Sequence, residues 1–488
     1  MQTRIGSLWL AFALMLGSGC AEPVIPDGNA EAPGNGRGVE SVGGNGGQPG
    51  SGGSAAPDAG MDSAAGMGGW DPGTADAGAD AGAARPLPTF SDLQLLCKLI
   101  NNRDLGDPTG NDTHHRFNLT GTDLGIPVKH GSDLYFFFGD SAGYNGIWPL
   151  GPESLPDAVG YSEQSADNVA QTPEALCTGL RFLALQPADS VGPKRDSSIQ
   201  RDFAGGWMNP PLGHSISEFV HNPAGPRGTN LFPNLPGDFE VPSGAFSHDS
   251  NIYVFYTRVQ LDPLEMKGSY LARWSTPSTS AFPEYDILYH MDQRFNTSGA
   301  LRGDFINIAP IVEGEYLYVF GTGAYRKSPV HLARKHLSTL EDEGGFESFD
   351  ESSGTWGAGN APAAPVVESD SIGELSVQYF PNIDRYVMLN QEIAAGNFIM
   401  ARFADRVEGP WSAPIPVARM EDPAFAQTYC CFNGDCSGQR LFNCGSAGFY
   451  GTYMLPDAIK NSNGSFSITF TMSTWDPYNV ALMQATFN

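Results

Sequence analysis

Two aspartates that lie beside glycines have the residue type and spacing for acid–base chemistry. Asp123 stands between Gly121 and Gly125, and Asp140 follows Gly139 at the end of an aromatic run. A hairpin that begins after the first aspartate and ends at the second would bring both carboxyl groups to one end of a sheet. Hydrolysis of an acetal needs such a pair, because one carboxyl protonates the leaving oxygen while the other attacks the carbon or activates water. Turn aspartates that cap backbone amides are the alternative.

Other side chains could bind a sugar beside this pair. Asp304 and Glu374 also follow glycines near the starts of apolar runs, and either could orient a substrate or shift the pKa of a neighbouring acid. Arg326 could bond sugar hydroxyls or keep an acid ionised. Five aromatic residues could stack on sugar faces, although aromatic residues of this kind often belong to a core; they are Tyr144, Trp148, Tyr325, Trp475 and Tyr478.

A repeated strand pattern indicates the fold that must position these residues. An aromatic or aliphatic run is followed by a polar loop and a second run that often contains Ala-Arg. The five copies are 133–139 with 180–184, 251–256 with 270–274, 316–320 with 330–334, 385–389 with 398–403, and 467–471 with 480–483. After the first, the copies are about 65–80 residues apart, which is enough for four strands and predicts an all-β, five-bladed β-propeller. A β-sandwich with long loops is the alternative. The repeated arginines are expected to bond neighbouring carbonyls.

The N-terminal part of the chain predicts export. Residues 1–20 combine Arg4, a short apolar run and small residues before Cys20, which is typical of a cleaved lipoprotein signal and predicts lipidation of that cysteine. An ordinary secretory signal is the alternative. Residues 21–86 are rich in Gly, Ala, Ser, Pro and Asp and predict a disordered tether. Residues 87–488 would form the catalytic domain, anchored by lipid at the bacterial outer membrane or cell surface, or secreted.

Composition limits the partners. Lys and Arg total 27 against 54 Asp and Glu, and the net charge of −27 opposes binding to nucleic acid or an anionic polymer. A neutral polysaccharide remains a suitable substrate. The motifs of serine hydrolases, zinc proteases and P-loop enzymes are absent from the sequence. We therefore expect a monomer with no cofactor, which contacts a membrane only through its lipid.

The cysteines predict disulfide bonds. Beyond Cys20 there are six, an even number that is typical of an exported, disulfide-bonded chain; they are Cys97, Cys177, Cys430, Cys431, Cys436 and Cys444. A zinc site is the competing interpretation, but the usual Cys-x-x-Cys spacing is missing, so no metal is expected. Cys97 and Cys177 are the expected long-range pair, with two bridges within 430–444.

A set of motifs occurs in one order along the chain, at residues 121–125, 138–140, 307–310, 318–326, 374–379, 409–412 and 475–480. Together they resemble the family of domain of unknown function 4185, whose characterised members are endo-D-arabinanases of glycoside hydrolase family 183. The resemblance implies a five-bladed propeller that hydrolyses internal α-D-arabinofuranosyl bonds, with Asp123 and Asp140 as the catalytic pair. The tether, the cysteine-rich insert at 430–444 and a long insert between residues 140 and 251 depart from the family pattern. A non-catalytic surface propeller that binds a glycan or protein is the alternative function.

Overall fold

Runs of aromatic and β-branched residues, separated by Gly, Asn and Asp, form the strands. The computed structural model describes residues 85–100, 111, 113, 119–143, 157–183, 239–261, 263–279, 285–294, 301–394, 398–419, 422–430, 448–475 and 478–488. The signal, nearly all of the tether, Cys20, Tyr144, Trp148, Cys431, Cys436 and Cys444 lie outside these residues.

The described strands, in chain order, are β1 (Phe90–Lys98), β2 (Leu119–Gly121), β3 (Leu124–His130), β4 (Asp133–Asp140), β5 (Ala142–Gly143), β6 (Asp157–Ser162), β7 (Leu180–Phe182), β8 (Phe239–His248), β9 (Asn251–Leu261), β10 (Leu264–Ser275), β11 (Tyr285–Gln293), β12 (Asn307–Glu313), β13 (Tyr316–Thr322), β14 (Ser328–His336), β15 (Glu347–Asp350), β16 (Thr355–Ala358), β17 (Val367–Phe380), β18 (Arg385–Glu392), β19 (Phe398–Ala404), β20 (Ile415–Arg419), β21 (Phe449–Lys460), β22 (Phe466–Thr474) and β23 (Asn479–Phe487). The helices are α1 (Ala166–Gln171), α2 (Leu176–Gly179) and α3 (Pro423–Tyr429), with 3₁₀ turns at Pro173–Ala175 and Leu337–Thr339.

Twenty of the described strands form five antiparallel units of four, and β2 pairs with β5 in a separate two-stranded sheet. In strand order they are the first unit β3-β4-β6-β7, the second β8-β9-β10-β11, the third β12-β13-β14-β15, the fourth β17-β18-β19-β20 and the fifth β21-β22-β23-β1. Strand β14 also pairs with β17, which joins the third and fourth units into one sheet, and β16 extends β15. The outer strand of the fifth unit is β1, which lies near the beginning of the compact region Leu87–Asn488. It pairs with β23, with Leu93 opposite Ala485.

The first strands of the units follow one another in a cycle. Strand β3 contacts β8, β8 contacts β12, β12 contacts β17 and β17 contacts β21, which returns to contact β3. Buried aromatic pairs fill the spaces between the units. Tyr135 meets Trp274 edge-on, with ring centroids 5.4 Å apart, between the first and second units. Phe403 meets Phe466 at 6.2 Å between the fourth and fifth. The first strand of each unit therefore contacts the first strands of two other units.

The all-β prediction is confirmed, and each of the five sequence copies falls on strands of one unit. Two details were wrong. In the first unit, residues 180–182 form the fourth strand, because β6 is the third and its short, Gly-containing sequence was not recognised. The arginines of the Ala-Arg pairs bond carboxylates rather than carbonyls, as Arg334 does with Glu347 at 2.8 Å and Arg402 with Glu392 at 3.1 Å. Glu347 lies opposite Arg334 on β15, and Glu392 lies on β18, the strand paired with that of Arg402. An ion pair is stronger than a bond to a neutral carbonyl.

The long-range disulfide prediction is confirmed. Cys97 on β1 is bonded to Cys177 on α2, with Cα atoms 5.8 Å apart. Cys430 is fully buried and is also disulfide-bonded; the pairing within 430–444 stays a prediction. Among the described residues, no group of His, Cys, Asp and Glu is arranged to hold a metal ion. No helix in the same residues is long and apolar enough to cross a membrane.

Candidate active site

The backbone around Asp123 is fixed by an irregularity at the start of β3. Leu124, the next residue, has a φ of 64°, a left-handed conformation that costs energy for a branched side chain. Its amide donates a 2.7 Å hydrogen bond to Ser473 Oγ on β22. The Gly139 amide donates to the Asp123 carbonyl at 3.1 Å. The first and fifth units therefore hold Asp123 at the point where β3 begins, beside the end of β4.

The Asp123 carboxyl group is enclosed on two sides. Its Oδ2 accepts a 3.0 Å hydrogen bond from the Tyr450 hydroxyl, and Tyr478 also donates to the carboxyl. Its Oδ1 is buried and receives no hydrogen bond from any described residue. A Cβ atom on Gly139 would lie 2.3 Å from this oxygen, so only glycine leaves it room. Burial raises the pKa of Asp123 to about 7, although the bonds from Tyr450 and Tyr478 oppose the rise.

Asp140 lies at the end of β4, directly after Gly139. Its Oδ1 is also buried, and no described side chain or amide bonds to it. Burial raises the pKa of Asp140 well above its usual value, and the nearby carboxylates of Asp123 and Glu240 raise it further. Because two adjacent buried carboxyls resist double ionisation, the pair titrates as a unit and can carry one proton near neutral pH. A shared proton of this kind suits a general acid.

A buried ion pair lies beside the aspartates. Arg326, in the connection after β13, donates to Glu374 Oε1 on β17 from Nε at 3.3 Å and from Nη2 at 2.9 Å. The two residues are only 8% and 5% exposed. Burial acts to lower the pKa of Arg326, but the Glu374 carboxylate outweighs it and raises the pKa above its ordinary value. Glu374 Oε2 is buried and has no hydrogen-bond partner among the described residues.

Tyrosines line the space between the aspartates and this ion pair. The guanidinium carbon of Arg326 lies 4.7 Å from the ring centroid of Tyr325 and 5.0 Å from that of Tyr450. Burial raises the pKa of Tyr453, and the nearby Glu374 and Asp123 carboxylates raise it further. The Tyr453 hydroxyl is buried without a hydrogen bond to any described residue. The site thus offers phenol groups and unpaired oxygens on a rigid aromatic frame.

The structure brings together most of the residues that the sequence singled out. Asp123, Asp140, Glu374, Arg326, Tyr325 and Tyr478 belong to one cluster. Trp475 packs edge-on against Tyr478, with ring centroids 5.5 Å apart. Asp304 lies elsewhere, beside Asp292 and His331.

The sequence interpretation missed three residues of the cluster. Tyr450 and Tyr453 lie on β21, and Glu240 lies on β8, where it pairs with Arg258 at 2.5 Å. Tyr450 does precede a glycine, Gly451, near the start of the fifth unit. A search for any polar residue beside a glycine at the start of each repeat, rather than for acids alone, would have found it.

The family model described as "Domain of unknown function (DUF4185)" matches residues 227–484. The chain belongs to this family. The match contains Arg326, Glu374, Tyr450 and Tyr478, whereas Asp123 and Asp140 precede it. The family that the motifs resembled is confirmed. No curated protein matches the chain.

Solved structures with similar folds share little sequence with this DUF4185 protein. A structure from Bacteroides ovatus ATCC 8483 is 13% identical, covers 76% of this chain and 87% of its own, and has a TM-score of 0.47. The catalytic domain of the Coprinopsis cinerea GH62 α-L-arabinofuranosidase is 11% identical and covers 82% of this chain and 98% of its own, with a TM-score of 0.42. The native Bacillus subtilis arabinanase is 11% identical and covers 75% and 96%, with a TM-score of 0.36. At these values the likeness assigns no role to any residue.

Proposed function

We propose that this protein is a glycoside hydrolase that cleaves a neutral, furanosyl-rich polysaccharide, with Asp123 and Asp140 as its two working carboxyl groups. The observation that supports this is the pair itself: two adjacent carboxyls, each with a buried oxygen that no described residue bonds, and both with raised pKa values. Hydrolysis of a glycosidic bond needs one carboxyl that stays protonated at the working pH and a second that ionises.

We also propose that the five units close into a five-bladed propeller. The cyclic contacts of β3, β8, β12, β17 and β21 support closure. The candidate site draws on residues at or near the starts of β3, β8 and β21 and on the loop after β13. In a closed propeller these positions meet at one mouth of the central channel, where a polysaccharide chain could lie across the units.

The free polar groups of the site suit a neutral sugar. Glu374 Oε2 could accept a hydrogen bond from a sugar hydroxyl, and the Tyr453 hydroxyl could donate or accept one. Arg326 is already neutralised by Glu374, so it offers no attraction to an anionic ligand. The choice of internal D-arabinofuranosyl linkages rests on the motif resemblance to endo-D-arabinanases. Trp475, next to Tyr478, is a proposed stacking surface.

The cellular setting is proposed from the sequence. Residues 1–20 would direct export, Cys20 would carry the lipid, and the Gly/Ala-rich segment that follows would hold a monomeric domain away from the surface. Such an arrangement would place the site within reach of a cell-surface polysaccharide.

The test is incubation of the purified protein with a panel of polymers, followed by chromatography of the released sugars. We expect a ladder of oligosaccharides from D-arabinan, little from L-arabinan or xylan, none from an anionic pectate, and none from any polymer with Asp123→Asn. Binding of a glycan without release by the wild-type protein would contradict the enzyme and support the non-catalytic alternative.

A further inference from the structure

We propose that Tyr450 is a positioning residue, which holds Asp123 in one orientation and is itself held by the Arg326–Glu374 pair. This inference rests on the proposed function in so far as Asp123 is a reacting group. It adds a residue that the sequence did not indicate, and it defines which oxygen of Asp123 faces the substrate.

The first step is the orientation of the carboxyl. Tyr450 occupies Oδ2 through its 3.0 Å hydrogen bond, while Oδ1 lies over the bare Cα of Gly139 with no described partner. A carboxylate fixed at one oxygen and free at the other can present only the free oxygen to a reacting atom. Oδ1 is therefore the reactive oxygen, and the Tyr450 bond, together with the donation from Tyr478, prevents the carboxyl from rotating.

The second step is the placement of the Tyr450 ring. The Arg326 guanidinium carbon lies 5.0 Å from the centroid of this ring and 4.7 Å from that of Tyr325. The two bonds to Glu374 fix the guanidinium plane. A lysine ammonium group would not fix the position of the Tyr450 ring in this way. Only the planar guanidinium of arginine can stack on a ring while it donates two hydrogen bonds.

The backbone conformation gives independent evidence that the surrounding structure holds these residues in place. Arg326 has a φ of 54°, in the left-handed region that a long side chain seldom adopts. Leu124, next to Asp123, has a φ of 64°. Strained conformations of this kind persist where the surrounding structure holds them, and they concentrate at functional sites. A series of contacts runs from Glu374 through Arg326 and Tyr450 to Asp123. Arg326 belongs to this series, and Leu124 follows Asp123 in the chain.

A purely structural ion pair would be built differently. Burying an arginine and a glutamate costs more than burying apolar side chains of similar size, unless every polar atom is satisfied. Here Glu374 leaves Oε2 without a described partner, so the pair is not optimised for stability. The Arg326–Glu374 pair is explained if Arg326 fixes the Tyr450 ring and Glu374 Oε2 is left to bind a ligand.

The test is Tyr450→Phe, which removes one hydroxyl and leaves the ring. We expect turnover to fall about 10-fold or more, the size of a lost hydrogen bond to a charged group, with KM little changed. The lost donor also lowered the pKa of Asp123, so the limb of the pH profile that Asp123 governs should move to higher pH. Arg326→Lys keeps the charge without the fork, and we expect a smaller shift in the same direction.

The matched control is Tyr253→Phe. Tyr253 is a buried tyrosine whose hydroxyl also donates to a carboxylate, Glu341, at 2.8 Å, at the other end of the second unit from Glu240. Turnover and its pH profile should not change in this variant. Equal turnover and an equal pH profile in Tyr450→Phe and wild type would overturn the inference.

A second readout separates this inference from the proposed function. Infrared titration of the carboxyl groups, with the Asp123 band identified by its loss in Asp123→Asn, needs no substrate. A shift of that band to higher pH in Tyr450→Phe would support the positioning role even if the wild-type protein released no sugar, and the proposed function would then fail by itself. An unshifted band would overturn the positioning role whatever the activity.

Discussion

The molecule combines a tyrosine, a carboxylate and an arginine at two places. The pKa of the carboxyl group is lowered at one place and raised at the other. Glu341, between β14 and β15 of the third unit, accepts hydrogen bonds from Tyr253 at 2.8 Å and Arg273 at 2.6 Å, both in the second unit. Burial acts to raise the pKa of Glu341, but these two bonds outweigh it and the pKa is lowered. At the candidate site Asp123 accepts a bond from Tyr450, yet its pKa is raised to about 7.

The first difference is burial, which raises the pKa of Asp123 strongly, whereas the Glu341 side chain is 40% exposed. The second difference is which carboxylate receives the arginine. Arg273 bonds Glu341 directly, whereas Arg326 gives both of its bonds to Glu374 and only stacks on Tyr450. Asp123 is therefore oriented by the network without being neutralised by it. A carboxyl that is fixed, buried and free of a directly bonded cation keeps its proton to a higher pH. The comparison predicts which substitutions affect chemistry and which affect only stability.

The largest effects are expected from the carboxyl pair. Asp123→Asn or Asp140→Asn keeps the size of the side chain but removes the group that ionises, and each change should reduce turnover by at least about 10²-fold. Glu341→Gln alters the corresponding carboxylate of the other network and should leave turnover unchanged. Initial rates of oligosaccharide release from D-arabinan give the comparison.

Both Asn variants should fold, since neither carboxyl has a hydrogen-bonded cation to lose; circular dichroism and thermal unfolding check this. Normal turnover in one of them would remove that aspartate from the catalytic pair. Glu374 would then be the next acid to substitute.

Removing the buried Arg326 should cost more stability than removing Arg273, which is partly exposed. Arg326→Met leaves the Glu374 carboxylate buried without its partner, and we expect a loss of about 3–5 kcal/mol in the free energy of unfolding. Arg273→Met breaks a pair in which the Glu341 side chain is 40% exposed, and we expect about 1 kcal/mol or less. Urea unfolding measures both. Equal losses would show that the Arg326–Glu374 pair is hydrated like a surface pair.

The sequence predicted the parts of this site that local patterns specify. Aromatic runs and their spacing located the units, and the glycines near Asp123 and Asp140 marked the ends of strands. Glu374 instead lies inside β17, at an irregularity in the pairing with β18. Tyr450 could not be assigned in the same way. Its role depends on β21 returning to lie against β3, a contact between residues more than three hundred positions apart that no local pattern shows. The partners of Arg334 and Arg402 are only 13 and 10 residues away, but the strand register that brings them together is not visible in the sequence.

A smaller effect is expected from filling the space beside Asp123. In Gly139→Ala the new methyl group would lie 2.3 Å from Asp123 Oδ1, so the carboxyl must move away from its position. We expect turnover to fall about 10-fold and stability to fall by about 1–3 kcal/mol, as for other overpacked sites. Gly179→Ala is the control, because a Cβ atom there meets nothing within 4 Å. An unchanged rate in Gly139→Ala would mean that the position of Oδ1 does not matter for the reaction.

The smallest effect is a dependence of stability on pH, with opposite signs at the two networks. The pKa of Asp123 is near its ordinary value of 3.8 in the unfolded chain but about 7 in the folded protein. Between these values the folded state binds more protons, so this residue lowers stability as the pH rises. Asp123→Asn cannot ionise, and its melting temperature should exceed that of wild type by a few degrees at about pH 7.5 and match it near about pH 4.

Glu341 has a lowered pKa in the folded protein, so it stabilises the protein above its unfolded pKa and loses that contribution in acid. Glu341→Gln should therefore melt slightly below wild type at neutral pH, by less than the Asp123 effect because Glu341 is partly exposed, and should match wild type in acid. Scanning calorimetry across this range measures both differences. If Asp123→Asn and Glu341→Gln changed with pH in the same direction, the two networks would not differ in the way that their burial and the positions of their arginines imply.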